Sequence, residues 1–373
     1  MGFTLDGFTN IDMTASGIPV MLGPDTVKEI SIIQSVNNML PLLQATILDV
    51  YGLHAKQNAF ADGAPITVNI GPGNNRSKAS TFRRFNMPNV DNGHGGDVVT
   101  FSAQLDAPGI RNLQTKSFSQ MTSSQALQAA VGALGLPFEG DATNDKQTWL
   151  PNNKPLHQWL RHVADHGYAS ASSAMHITAG GRGDGNWSIL YKDLIQAAQQ
   201  SPIARAVSLG FDGASDIAML PGTVWRSHSG TLNNTGGYGG QTMQVDKYGV
   251  PQLFSSVTSM LSMGSLDMSS AVKSAVSQLP LHILPWDVGN AHANFAKAEH
   301  QNDRLKQTFT SFLGFITTNY TSLRVLDPVS VVVMQGQSLN QTQSGNYLVH
   351  SRTQYANGTM YREKIVLASQ GTN

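Results

Sequence analysis

Short stretches in which apolar and polar residues alternate dominate the first hundred residues, and they predict β-strands. In residues 66–70 an apolar side chain recurs at every second position, as in a strand with one buried face, and the stretch ends at Gly71 and Pro72. Similar β-rich stretches, bounded by Gly, Pro, Asn and Asp, predict strands at residues 27–36, 42–49, 81–87 and 98–105. Short strands separated by such turns are typical of a barrel or a sandwich.

The period changes to that of a helix after residue 117. Residues 123–131 predict a helix with a capping residue at its start, and residues 155–166 predict a second helix. In the second helix, Leu156, Trp159, Leu160 and Val163 fall on one apolar stripe. Two short strands, at 175–177 and 187–191, flank the glycine-rich residues 180–185. These elements predict a mixed α/β unit inserted between β-rich regions.

The C-terminal part of the chain returns to strands. Residues 291–312 predict a helix, and the Ser/Met-rich residues 255–277 predict two short helices. Strands are predicted at residues 323–325, 329–333, 347–354 and 360–368. The dipeptide Asn357-Gly358 between the last two predicts a tight hairpin with a positive φ at both positions. The predicted fold class is therefore β-rich α+β.

Composition narrows the possible functions. The 373 residues contain no cysteine, which excludes disulfides, thiolate zinc sites, iron–sulfur clusters and a cysteine nucleophile. Lys plus Arg number 24 and so do Asp plus Glu, and no basic stripe is present, so we expect no sequence-specific nucleic-acid binding. Charged residues make up 13% of the chain, about half of the roughly 25% that is usual. This low charge fits two interpretations equally well: a low-charge soluble enzyme, or a surface largely covered by other subunits.

No targeting or membrane segment is recognisable. The N-terminal residues lack the basic and apolar regions of a secretory signal. The apolar stretches, such as residues 329–334, are far shorter than the about 18 residues that cross a membrane. We therefore expect a chain that is made and folded in a cytoplasm and has no membrane anchor.

No group of residues forms a recognisable active site. His162 and His166 lie four residues apart on one helix face, but the H-E-x-x-H pattern is absent, and we predict no metal there. Residues 180–185 match neither phosphate-binding glycine pattern, and no G-x-S-x-G is present. The carboxylates Glu139 and Asp141 lie in a loop without aromatic sugar platforms nearby. We therefore predict no catalytic, cofactor-binding or metal-ligating residue, no cofactor and no enzymatic activity.

The order of the elements carries a resemblance. It consists of a β-rich start with the motif DGAPITV at 62–68, the helix at 123–131 ending in Leu134-Gly135-Leu136, then Trp149 and the helix at 156–164. Leu323-Arg324-Val325 and the motif SGNYLVH at 344–350 then lead into the final hairpin. Together these features resemble the baseplate hub protein of contractile-tailed bacteriophages, a family that also resembles the base of type VI secretion spikes. The stretch from about 210 to 290 matches no part of the family pattern.

The resemblance implies a structural virion protein with two tail-tube-like β-barrel domains and an inserted α/β unit. The implied map is a first barrel at 1–116, the insert at 117–200, a mixed helical and loop region at 201–322 that contributes to the barrels and to inter-subunit contacts, and the last strands of the second barrel at 323–373. Three chains would form a ring of six barrels that adapts the sixfold tail tube to the threefold spike. The implied partners are two further copies, the tail tube protein and the spike protein, with tape measure and wedge proteins as further candidates. The implied location is the virion tail baseplate, assembled in the host cytoplasm.

Two other classes remain open on the sequence. A tail-associated cell-wall hydrolase would need an acid/base or zinc constellation, and a peptidoglycan turnover assay would detect it. A receptor- or glycan-binding tail protein would need clustered exposed aromatics, whereas the five tryptophans are scattered along the chain. Binding to host cells would distinguish that class from a hub.

Overall fold

The computed structural model describes most of the chain between residues 9 and 370. The residues that it does not describe within this range are 21, 23–24, 54–56, 73–78, 86–88, 94–95, 152, 209–215, 229–240, 246–250, 256–280, 284–291, 293, 307 and 336–337. The two helices predicted at 255–277 fall outside the described residues, except for Ser255, which ends a strand. Within the described part of the chain, no helix is both long and apolar enough to span a bilayer.

The first hundred residues form antiparallel strands, as predicted. They are β1 (Thr9–Ala15), β2 (Ile18–Val20), β3 (Val27–Ser35), β4 (Leu42–Asp49), β5 (Pro65–Pro72), β6 (Ser80–Arg84), β7 (Asn89–Gly93) and β8 (Gly96–Leu105). Their order in the sheet is β3-β4-β8-β6-β5-β1-β2, with β7 also on β8. The alternation buries one side of each strand; in β4, for example, Leu43, Ala45 and Ile47 are buried in the core.

The middle of the chain forms the mixed α/β unit. Its elements are β9 (Phe118–Met121), α1 (Ser123–Gly132), β10 (Phe138–Gly140), β11 (Gln147–Trp149), α2 (Leu156–Asp165), β12 (Met175–Gly181), β13 (Trp187–Asp193) and α3 (Leu194–Gln199). The residue that caps α1 is Thr122: its side chain accepts a hydrogen bond from the Gln125 amide, and the Gln125 side chain accepts one from the Thr122 amide. The apolar stripe predicted for α2 is buried as expected, with Trp159, Leu160 and Val163 fully covered.

The remaining residues return to strands around a fourth helix. They form β14 (Ala204–Val207), β15 (Asp216–Ala218), β16 (Trp225–His228), β17 (Gln241–Val245), β18 (Pro251–Ser255), β19 (Leu281–Ile283), α4 (Phe295–Lys306), β20 (Ser311–Thr317), β21 (Pro328–Val332), β22 (Met334–Gln335), β23 (Ser338–Leu339), β24 (Gly345–Ala356) and β25 (Tyr361–Ser369). Strands β17, β18 and β19 form a separate sheet, and β22 with β23 forms a small hairpin.

Two sequence predictions in this part are wrong. The helix predicted at 291–312 is shorter, because β20 begins at Ser311 and places Leu313 and Phe315 in a second hydrophobic core. The strand predicted at 323–325 is a turn: the Arg324 amide donates to the Asp327 carboxylate at 2.9 Å. A carboxylate that accepts from the backbone three residues earlier stabilises a turn rather than a strand.

Strand β24 joins the two β-rich halves into one sheet. Its first residues pair with β21, its last residues pair with β3, and β25 runs along it on the other side. The result is a sheet of fifteen strands in the described part of the chain, which also contains β14, β15, β16 and β20. The predicted β-rich α+β fold class is confirmed. The domain boundaries stay a prediction.

The final hairpin is present, but its turn differs from the predicted one. Ala356 pairs with Tyr361, so the loop has four residues, and neither Asn357 nor Gly358 has a positive φ. The Asn357 side-chain oxygen accepts hydrogen bonds from the amides of Thr359 and Met360, at 3.2 and 2.8 Å. This side chain closes the loop, so the left-handed conformation expected of an Asn-Gly turn is not needed.

A buried ion pair lies inside this hairpin. Arg352 on β24 and Glu363 on β25 are both 0% exposed, and two of the Arg352 nitrogens donate to Glu363 at 3.0 and 2.7 Å. Arg352 also donates to the carbonyls of Leu323 and Thr321, and Glu363 accepts from the amide and hydroxyl of Thr321 and from the Tyr361 hydroxyl. Burial alone would lower the pKa of Arg352, but the Glu363 charge raises it above its ordinary value. Arg352 therefore stays charged, and both side chains have hydrogen-bond partners inside the hairpin.

Removing one member of this pair should destabilise the protein strongly. We expect Arg352→Met to lower the free energy of unfolding by about 3–5 kcal/mol, because Glu363 is left as a buried, unpaired charge. The double variant Arg352→Met/Glu363→Leu should recover much of that loss, since it buries no charge. Urea denaturation followed by circular dichroism measures both.

Lys28→Met serves as the control, because Lys28 is an exposed charge on the neighbouring strand β3. We expect a change within about 0.5 kcal/mol. Equal unfolding midpoints for the Arg352 variant and this control would contradict the assigned role of the pair.

Candidate assembly face

One face of the joined sheet lies opposite the hydrophobic cores and crosses both halves of the molecule. Strand pairing fixes which side chains share it: Tyr355 lies beside Ser31, Ser31 beside Gln44, and Gln44 beside Ser102. We call this the outer face. It comprises Gly314, Ile316, Lys364, Val366, Thr353, Tyr355, Ser31, Ile33, Leu42, Gln44, Ser102 and Gln104. It spans six neighbouring strands, from β20 to β8.

The middle of the outer face carries mainly hydroxyl, amide and aliphatic groups and few charges. Its members named above on β24, β3, β4 and β8 carry no charge, and most are half-buried within a single chain. By register, the exposed Glu29 on β3 lies on the same side, beside Thr46 on β4. Beyond this set, the hydroxyls of Thr46 and Thr100 hydrogen-bond to each other across β4 and β8 at 3.1 Å. Depletion of charge is typical of the centre of a protein interface. This face is therefore suited to being covered or enclosed.

An exposed aromatic residue with a cation beside it lies at each end of the outer face. Trp225 on β16 is 38% exposed, and the Lys364 ammonium lies 5.8 Å from its ring. A side chain at Gly314 would collide with that indole, which is why a glycine is needed beneath it. Phe85 is 43% exposed, and the Arg111 guanidinium lies 5.8 Å from its ring. Exposed aromatic and arginine side chains are enriched at protein interfaces.

Polar contacts hold the α/β unit against the joined sheet. Arg324 donates to both oxygens of Glu139, at 2.7 and 2.8 Å, and this hydrogen bonding lowers the pKa of Glu139 to about 2. Gln34 on β3 exchanges two hydrogen bonds with the backbone of Gly181, at 3.0 and 3.2 Å. Charge-assisted pairs with two parallel hydrogen bonds fix orientation as well as distance.

The residues that the sequence offered as candidate chemistry have structural partners. Besides the Glu139–Arg324 pair, Asp141 accepts from the Lys192 ammonium at 3.0 Å. In the glycine-rich loop, Arg182 forms an ion pair with Asp327 at 2.8 Å. In the structure, these side chains therefore form ion pairs between segments of the fold.

His162 and His166 lie side by side, with ring centroids 4.4 Å apart. The Nδ1 of His166 lies 2.8 Å from the His162 carbonyl, its Nε2 lies 3.4 Å from Glu299, and Phe295 stacks on its ring at 4.0 Å. Within the described residues, no group of three or more His, Cys, Asp or Glu is arranged to hold a metal ion. That no metal binds here stays a prediction.

Sequence reasoning did not identify the outer face. Its members are spread over the chain from Ser31 to Val366, and only the strand register brings them together. A signal was present in the low charge of the chain and in the alternation of each strand, but neither indicates which strands are neighbours.

Comparison by sequence finds nothing similar: no protein-family model matches the chain, and no curated protein matches it. Comparison by structure finds similar proteins. The tail protein from Neisseria meningitidis MC58 aligns over 97% of this chain and 96% of its own, with a TM-score of 0.57 and 11% identity. The 43 kDa tail protein of prophage MuSo2 from Shewanella oneidensis aligns over 96% and 98%, with a TM-score of 0.58 and 12% identity.

A type VI secretion component is also similar. The Escherichia coli c3393 protein, described as structurally similar to the bacteriophage T4 tail proteins gp27 and gp5, aligns over 96% of this chain and 77% of its own. Its TM-score is 0.50 at 8% identity. The chain therefore has the fold of phage tail proteins and of a type VI secretion component, as the sequence resemblance implied.

Buried histidines should make the protein less stable in mild acid. Burial and then His166 lower the pKa of His162 to about 4, and burial and then Lys306 lower the pKa of His176 to about 3. Both values lie below the about 6.5 of an unfolded chain, so the unfolded state binds protons first as the pH falls. Stability should be complete above about pH 6.5 and decline below it, which thermal melts between pH 7.5 and 5 at constant ionic strength measure.

The variant His176→Gln provides the comparison for this prediction. A glutamine amide can still donate to the Val36 carbonyl, which the His176 Nε2 approaches at 2.9 Å, but it does not titrate. We expect a shallower dependence on pH for this variant. A melting temperature that stays constant or rises on acidification of the natural chain would contradict the prediction.

Proposed function

We propose that this chain is the central hub of a phage tail baseplate, a structural protein that assembles as a trimer. The observation that carries the proposal is the joining of two β-rich halves by β24 into one sheet, in a fold that aligns with tail proteins over nearly the whole chain. Three copies with two such halves each provide six similar positions around a ring. Such a ring matches a sixfold tail tube on one side and a threefold spike on the other.

In this proposal the outer face lines the central channel. A channel through which a polymer must pass needs a wall that does not hold it, and neutral hydroxyl and amide groups form fewer strong contacts than charges do. The sheet face that crosses both halves supplies such a wall continuously.

In the same proposal, Trp225 and Phe85 at the ends of the outer face contact neighbouring copies. Each is large, partly exposed and placed beside a cation, as interface anchors often are. Their burial between subunits would also account for the low charge of the chain.

The proposed partners follow from the ring. They are the tail tube protein and the spike protein, with tape measure and wedge proteins as further candidates, and the proposed location is the virion tail baseplate. The type VI component among the similar structures supports a spike-related partner. The described residues offer no observation that favours a hydrolase or a glycan-binding protein, so we propose a role without catalysis.

Native mass spectrometry and negative-stain imaging of the purified full chain test the proposal. We expect a homotrimer that images as a ring with a central opening. A monomer at all protein concentrations, both alone and mixed with a tail tube protein and a spike protein, would refute the hub.

Point variants locate the contacts in that assembly. We expect Phe85→Asp and Trp225→Asp each to shift the trimer towards monomer, because a carboxylate would be buried against the neighbouring copy. Leu339→Asp is the control: Leu339 is 49% exposed and lies on the small hairpin β22–β23, which is not part of the joined sheet. Equal trimer fractions in all three would overturn the proposed anchors while leaving the trimer itself intact.

Deletion of residues 345–373 is not a useful test of assembly. It removes β24 and β25, and with them the strand that joins the two halves and the buried pair Arg352–Glu363. We therefore expect this truncation to prevent folding, whatever the oligomeric state of the full chain.

A further inference from the structure

The imidazole of His292 holds the start of helix α4 through both of its nitrogens. Nδ1 lies 3.1 Å from the amide of Asn294, and Nε2 lies 3.2 Å from the carbonyl of His166. A carbonyl only accepts, so Nε2 carries the proton, and an amide N–H only donates, so Nδ1 carries none. The partners therefore select the neutral ring with its proton on Nε2.

This ring connects the beginning of α4 to the end of α2. The carbonyl of Asn294 accepts the first hydrogen bond of α4, from Ala298 at 2.7 Å, and Phe295 stacks on His166. The backbone amide of His292 also donates to the Gln147 side chain at 2.8 Å. Neutral His292 thus works as a cap that fastens the first turn of α4 to the α/β unit.

A proton on Nδ1 of His292 would remove the hydrogen bond that this atom accepts from the Asn294 amide. Protonation places a hydrogen on Nδ1, where it faces the Asn294 N–H, so an acceptor becomes a donor directed at a donor. Burial lowers the pKa of His292, which agrees with a site built for the neutral ring. The titratable and charged groups that face this site are, from α2 and its end, His162, Asp165 and His166; from the segments beside them, Asp145 and Tyr168; and from α4, Glu299.

The rest of α4 is held by contacts that do not involve His292. The Asn302 side chain accepts from the Met175 amide at 2.9 Å and donates to the carbonyls of Asp165 and Gly167, at 2.8 and 2.9 Å. Lys306 pairs with Asp165 at 2.9 Å. Glu299 faces His166, whose Nε2 lies 3.4 Å from its carboxylate.

We propose that His292 is a pH-sensitive latch: acidification frees the first turn of α4, Phe295–Ala298, from the α/β unit while the remainder of the helix stays docked. The chemical signal is a proton, and the moving part is the stacked Phe295 with its turn. Release would uncover the surface formed by His166 and Trp149, both of which contact Phe295. This inference is independent of the oligomeric state of the protein.

Hydrogen–deuterium exchange of the full chain between pH 7.5 and 5, corrected for the intrinsic rate, tests the latch. We expect protection at residues 294–298 to fall as the pH drops below about 6.5, by up to tenfold per pH unit while His292 is protonated in the open form and neutral in the docked form. Protection at β25 and around Asn302 should persist at pH 5, which separates this opening from global unfolding. Unchanged protection at 294–298, or equal loss in all three regions, would overturn the proposal.

Two variants make the test specific. His292→Asn keeps an acceptor close to the position of Nδ1 but does not titrate, so protection at 294–298 should no longer depend on pH. His162→Gln removes the neighbouring histidine and should leave the response unchanged. If His292→Asn loses protection on acidification as the natural chain does, the latch is refuted.

An NMR titration of the histidine rings in the natural chain gives a reading that does not depend on how well asparagine replaces histidine. The midpoint at which residues 294–298 open should coincide with the titration of His292. Different midpoints would assign the opening to another group and overturn the proposal.

Discussion

The buried pair of Arg352 and Glu363 is the constraint on which the joined sheet depends. Both side chains are fully covered, so each must keep its hydrogen bonds, and these connect β24, β25 and the segment 321–323. A buried ion pair adds little net stability compared with apolar residues of similar size. What it provides is a strong penalty for any arrangement in which the partners do not meet. The pair therefore fixes the register of β24 against β25.

That register also decides the chemistry of the outer face. Side chains alternate along a strand, so with Arg352 and Glu363 directed inward, Thr353 and Lys364 are directed outward. A shift of one residue would place the buried charges on the outer face and the outer residues in the core. Because β24 also pairs with β3, the same register continues into the first half of the molecule. The charge-poor face that we propose to line a channel is thus a consequence of the buried ion pair.

The α/β unit is attached to this sheet by polar contacts that do not depend on pH in the neutral to mildly acidic range, whereas one contact of helix α4 does. The Glu139–Arg324 pair and the Gln34–Gly181 contact do not change between pH 7.5 and 5, because Glu139 has a pKa of about 2 and Gln34 does not titrate. Helix α4 combines contacts of that kind, through Asn302, with a cap that needs a neutral histidine at position 292. The unit is therefore firmly placed on the sheet, whereas the start of α4 is held by a group that titrates.

The sequence by itself determined the fold class, the long strands of the first hundred residues, the apolar stripe of α2 and the final hairpin. Each of these depends on the spacing of apolar residues over a few positions, which is local information. Only the tertiary structure decided that residues 323–325 form a turn and that α4 ends at Lys306, because Asp327 and the second core compete with the local preference. It also decided the outer face, the partner of Arg352 and the role of His292. These depend on residues far apart in the chain, such as Gln147 and His292, and their pairing is set by packing and burial, which local spacing does not encode.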